Sequence, residues 1–464
     1  MANGTKAREL DTGVDFYKNL YKIAIPIALQ SLIMAALYMT DQLMVGQLGD
    51  VAIASVGMAS KIYSIISVLL AGLSAGLSIY AAQYWGSKDV RSITQLLGMT
   101  LSLGLVVSLL FTGVIYLNPE FALGLFTTDA RVMEDGAIFV KLVALSYVPT
   151  MLTMVYSAVL RSTGHVKYPM YVSLVVVILN IGLNYLLIFG NLGFPQLGLA
   201  GAAIATCIAR VVECLLIIGA VYRFKLPGAA GFRYLFSFHR PVARKFYLTT
   251  YPIVLTELVW VLGETAYAVI YSRMGTTEMT AMTITFPLQG LSIGLLTGLS
   301  GAAGVLVGNR LGAGEEAMAR DYARRLIRVG IIFSIGLGVV IAAISPLYVS
   351  AFAITGEAND LAVHVIWVFA AFMWVKVANM IIAGGILQSG GDSKFVFKME
   401  SAATWLIGVP LGLLLSLVWK QPLFWVYFFL SMEEVVRFGI GLMRFRSGKW
   451  IRNLTNQATS ETSV

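Results

Sequence analysis

The chain has 464 residues, 58% of them hydrophobic and only 12% charged, with a mean hydropathy of +0.81. Soluble domains carry about 25% charged residues, so a water-soluble fold is excluded and a chain that crosses a bilayer repeatedly is expected. The formal charge of +9 falls in alternate loops, the pattern of membrane topology rather than of nucleic-acid binding.

From the N-terminus, a polar stretch precedes the first apolar run without a small-residue cleavage site, so no removable signal peptide is expected. Twelve apolar segments then read as membrane-spanning helices: 18–48, 51–82, 92–117, 132–160, 168–190, 198–222, 244–273, 279–309, 322–345, 358–387, 395–418 and 421–443. Turn signals such as "GNLGFPQLG" at 190–198 separate them. Lys88, Arg91, Arg161, Lys167, Arg324, Arg325, Lys394 and Arg444 all fall in loops of one side. The positive-inside rule makes that side, and both termini, cytoplasmic.

The polar interruption at 224–241 divides six spans from six, and the halves are alike. Pro26 and Pro252 are 226 residues apart, and the same offset joins Gly72 to Gly298, Ser74 to Ser300 and Gly86 to Gly312. Farther on, "LRSTGHVK" (160–167) faces "LQSGGDSK" (387–394) at an offset of 227. The expected fold is therefore all-α, two six-helix bundles related by a pseudo-two-fold axis along the membrane normal. Its units are a cytoplasmic N-terminal segment (1–17), an N-terminal bundle (18–223), a cytoplasmic linker (224–241), a C-terminal bundle (242–445) and a cytoplasmic tail (446–464). A cleft between the bundles is the expected place for a substrate.

No G-x-x-x-x-G-K-[S/T], H-E-x-x-H or G-x-S-x-G motif occurs, so the sequence predicts no ATP motor, no catalytic residues and no cofactor. Cys207, Cys214 and the three histidines follow no metal-ligand spacing. Attention passes to ionisable residues inside the spans, which in membrane proteins mark pathways for ions and substrates. Asp41, in "LYMTDQLMVG" (37–46), is the foremost, with Tyr38 and Gln42 as polar neighbours. Asn180 and Asn184, four apart in the fifth span, share one helical face and suit either a carboxylate or a hard cation such as sodium. In the second half Glu257 and Glu264 lie seven apart on one face, with Trp260 between them. Lys376 in the tenth span is placed to neutralise one of these glutamates or to gate the cleft. Arg210 and Glu213 are spaced to pair with each other.

These residues resemble the multidrug and toxic compound extrusion family of secondary transporters. The likeness spans residues 15–445 and rests on "MTDQLMVGQLGDVAIASVG" (39–57), "RSTGHVKYP" (161–169), "LNIGLNYLLIFG" (179–190), "GLAGAAIAT" (198–206) and "SGGDSK" (389–394). The resemblance implies a V-shaped pair of six-helix bundles that exports organic cations against a proton or sodium gradient. A monomer in the lipid bilayer of the inner membrane is expected, with oligomeric state left open by the sequence. Carried over, Asp41 is the coupling carboxylate, Asn180 and Asn184 are its partners, and Thr206 joins them. Tyr38, Glu257, Trp260, Glu264 and Lys376 are then candidates for contacting substrate. The family's seventh-helix glutamate position falls near Trp260, so this chain departs from the pattern in its second half. A carboxylate in such surroundings has two states, neutral with a proton or charged beside a cation, and modest conformational change moves it between them. The alternatives are a lipid-linked saccharide flippase of the same architecture and, further off, an intramembrane transferase.

Overall fold

The computed structural model describes residues 13–127, 129–231, 235, 240–352 and 355–455, and among these every regular element is helical. Hydrocarbon offers no hydrogen-bond partners, so apolar segments of this length must satisfy their own backbone groups as helices. The first half comprises α1 (Gly13–Gly46), α2 (Asp50–Gly86), α3 (Val90–Leu117), the short α4 (Pro119–Gly124), α5 (Ala130–Ala144), α6 (Tyr147–Ser162), α7 (Lys167–Phe189) and α8 (Gly198–Arg223). The second half comprises α9 (Arg240–Met274), α10 (Thr276–Gly312), α11 (Glu316–Ser350), α12 (Gly356–Leu387), α13 (Ser393–Val418) and α14 (Leu423–Arg446).

Ten of these helices are long and apolar enough to cross a bilayer, and the α5–α6 pair supplies an eleventh span. α14 completes the twelve; Glu433, Glu434 and Arg437 make it less apolar than the others. The sequence suggested one continuous fourth span. The chain instead bends by 45° between α5 and α6. Pro149 has no N–H to offer the Leu145 carbonyl, and the Ser146 hydroxyl donates to the Val143 carbonyl at 2.6 Å, which satisfies the broken end. In the second half α12 and α13 each widen into π-helical turns, at Met380–Leu387 and at Ala403–Gly408 and Leu414–Val418. Residues 1–12, most of the linker between 232 and 239, and the tail beyond Thr455 lie outside the described residues.

The halves meet at the end that carries Lys88 and Arg91, and they do so symmetrically. Phe16 of α1 packs edge-on against Tyr322 of the second half, and Phe246 of α9 packs against Tyr80 of the first. The Ser31 and Thr297 hydroxyls are 3.1 Å apart across the interface. At their C-terminal ends, α2 and α10 cross so closely that only glycine fits. A Cβ at Gly86 would strike the Asn309 carbonyl, and one at its repeat counterpart Gly312 would strike the Gln83 carbonyl. Fully buried Gln83 donates to the Ser389 carbonyl (2.7 Å) and the Arg452 carbonyl (3.1 Å), and accepts from the Leu454 N–H (2.7 Å). Asn309, its repeat counterpart, sets its amide against the Ala82 carbonyl at 2.6 Å. The segment after α14 belongs to this seal, with Trp450 fully buried over Gly390 and the Asn453 amide donating to the Leu311 carbonyl at 3.0 Å. Toward the other end, Tyr38 of α1 and Trp260 of α9 are exposed, at 59% and 49%.

Candidate functional site

The first half encloses a cavity of about 130 Å³ among α1, α2, α5, α7 and α8, lined by Tyr38, Asp41, Tyr63, Asn184, Thr206 and Arg210 among others. Asp41 is half-buried on α1, and Asn184 of α7 donates from Nδ2 to its Oδ1 at 2.7 Å. The same Nδ2 donates to Asn180 Oδ1 at 3.0 Å, one turn back along α7, so the two amides and the carboxylate form a chain. Both asparagines are buried, at 2% and 1% exposure, and the Asn184 Oδ1 has no donor among the described residues. A buried acceptor is normally paired, so this oxygen beside a carboxylate suits an incoming cation or a donor brought by one.

Arg210 forms the opposite wall, held by Glu213 at 2.7 Å. Two carboxyl groups, Asp41 and Glu213, thus stand against the single guanidinium of Arg210 in this group. Of the sequence-predicted residues, the structure brings Tyr38, Asp41, Asn184 and Thr206 to one cavity and sets Asn180 directly behind it. The sequence reading paired Arg210 with Glu213 but did not place it against Asp41.

The second half carries a larger set of charges. Lys376 was expected to neutralise Glu257 or Glu264; its Nζ instead lies 3.5 Å from Glu434 of α14. Glu434 also accepts from the Asn379 amide at 2.8 Å, because Lys376 and Asn379 lie one turn apart on α12. Arg437 bonds Glu433 and approaches Glu434 at 3.8 Å and Glu400 of α13 at 3.9 Å. Glu433 further accepts from the hydroxyls of Tyr267 and Thr404. Thr404 lies in the first π-helical turn of α13, and α12 turns π-helical one residue after Asn379, so the widened backbone frames this cluster. Glu264 lies within electrostatic reach of Lys376, Glu434 and Arg437, and Glu257 within reach of Glu400. Sequence reasoning missed Glu400, Glu433, Glu434 and Arg437, although "SMEEVVR" (431–437) inside an apolar run was a readable signal.

A duplicated twelve-helix bundle with ionisable groups inside both halves and a seal at one end has the build of a membrane transporter. The MatE family model matches residues 26–186 and again 252–414, once in each half, and the chain belongs to that family, the multidrug and toxic compound extrusion transporters. It is similar to YisQ of Bacillus subtilis, an uncharacterized transporter, at 24% identity over 96% of this chain and 98% of that one. It is also 22% identical to a probable multidrug resistance protein, NorM of Thermotoga maritima, over 96% of each chain. Its fold matches the crystal structure of a MATE protein in complex with MaL6 with a TM-score of 0.84 at 19% identity, covering 94% of this chain and 97% of the other.

Proposed function

We propose that the protein exports organic cations in antiport with protons or sodium, and that Asp41 is where the coupling ion loads. The observation that carries this reading is the chain Asp41–Asn184–Asn180, whose carboxyl group and unpartnered amide oxygen stand at a cavity. With the halves sealed at the basic end, the cleft between them faces the opposite side, taken here as outside. In that state a cation or proton enters at Asp41, the first half repacks, and bound drug leaves. Return with the seal open exposes the cleft to the cytoplasm, where the ion is released and the next drug binds. Ion and drug then antagonise each other, and linkage makes the effect reciprocal.

Tyr38 and Trp260, exposed on the first helix of each half, are suited to hold an aromatic cation through their ring faces, with Glu257 and Glu264 supplying charge. Lys376, committed to Glu434, braces the second half. The chain is read as a monomer of the inner membrane with cytoplasmic termini. The NorM relatives are multidrug resistance proteins, which ranks export of small molecules above lipid-linked sugar flipping.

The test is ethidium accumulation in cells that lack their own pumps. Expression should lower accumulation, and collapsing the driving gradient with a protonophore or by sodium removal should restore it. Unchanged accumulation on expression, together with translocation of a lipid-linked sugar, would reject the reading.

A further inference from the structure

Between the halves, just above the seal, lies a second cavity of about 280 Å³ that no step of the transport cycle above uses. Its walls come from α2, α6, α10 and α12, and glycines 301, 304 and 384 leave it open. The repeat is visible in its lining. Ser74 faces Ser300 at the 226-residue offset, and Ser162 faces Ser389 at 227. At one position the symmetry fails: the counterpart of Gln388 is Arg161.

Arg161 was read from the sequence as one more loop charge. In the fold it is half-buried at the end of α6 and lines this cavity. Among the described residues its guanidinium has no ion pair or hydrogen bond, and neither Asp nor Glu lines the space. A guanidinium taken partly out of water without a carboxylate is costly, and in membrane proteins such groups mark ligand or ion sites. Ser74, 4% exposed, has a hydroxyl with no partner in the same wall. Five guanidinium N–H groups, the Ser74 hydroxyl and the Gln388 amide make a set of donors with no acid among them.

We infer that this cavity binds an oxyanionic group, a carboxylate or a phosphate, gripped by Arg161 and completed by Ser74 and Gln388. A planar guanidinium matches such a group with two parallel hydrogen bonds. The volume falls below the range of about 300–1,000 Å³ typical of drug-sized sites, so the ligand is a small anion or the head of a larger one. Because both halves build the walls, the site exists only while the basic end is sealed. An anion bound there favours the sealed state over the open one.

The test uses the full chain in phosphatidylcholine nanodiscs, with sodium fixed and chloride replaced stepwise by acetate or by inorganic phosphate. Thermal unfolding and the distance between spin labels at positions 91 and 394 across the seal are followed together. The wild type should show a saturable rise in unfolding midpoint and a growing sealed population. Arg161→Gln should need at least tenfold more anion, whereas Arg161→Lys keeps part of the response. If Arg161→Gln does not fold, Ser74→Ala and Gln388→Ala carry the test, each weakening the response several-fold. In phosphatidylglycerol nanodiscs, a wild type already at its raised midpoint and deaf to added anion identifies a lipid headgroup as the source. A response that persists there identifies a soluble anion. No saturable response in the wild type, or variants that respond as it does, overturns the proposal.

Discussion

Replacing Gln83 by alanine removes the side chain that ties the first half to the second and to the segment after α14. Its three hydrogen bonds, to the carbonyls of Ser389 and Arg452 and from the N–H of Leu454, are all made across the seal. Each is worth about 0.5–1.5 kcal/mol net, so together they stabilise the sealed state by roughly 1.5–4.5 kcal/mol. When the halves part, water takes over these partners, so the loss falls on the sealed state alone. A change of about 1.4 kcal/mol is tenfold in a population, so Gln83→Ala should shift the balance toward the open-seal state by at least tenfold. Spin labels at positions 91 and 394, both exposed near the seal, read this as growth of a longer-distance population. An unchanged distance distribution would refute the claim that this amide holds the seal.

Gly312→Val places a side chain against the Gln83 carbonyl, so the seal cannot close; transport should stop while the unfolding midpoint stays within a few degrees of wild type. Arg437→Met leaves Glu433 buried without its cation and should cost about 3–5 kcal/mol in unfolding experiments. Adding Glu433→Gln to that variant should recover much of the loss. Trp450→Ala empties a fully buried site beneath the tail, a change worth about 3–5 kcal/mol in soluble cores, and should expose the chain after residue 446 to proteolysis.

The parts of this architecture that repeat were legible in the sequence. Pro26 with Pro252 and Gly86 with Gly312 keep one offset, and the fold places each pair at equivalent points of the two halves. Asp41 and the Asn180–Asn184 pair stood out because a lone acid and two amides on one helical face are conspicuous in an apolar run. What could not be read were contacts between distant segments. Lys376 pairs with Glu434, 58 positions away, rather than with the acids of α9, and neither spacing nor periodicity specifies which helices adjoin. Arg161 carried the pattern of a loop charge and became a cavity wall only because α6 ends at the interface. Gln83 and Trp450 are ordinary residues by composition; the crossing of α2 with α10 places the first, and the packing of the segment after α14 over Gly390 places the second.

Coupling of ion entry to export at Asp41 is tested in reconstituted protein. Wild type and Asp41→Asn would be placed in liposomes with a fluorescent organic cation, under an imposed pH gradient and separately under an imposed sodium gradient. One gradient should drive the wild type, and Asp41→Asn should still bind the dye but no longer respond to that gradient. An Asp41→Asn protein that transports like the wild type would contradict that assignment and move the search for coupling to the acids of the second half.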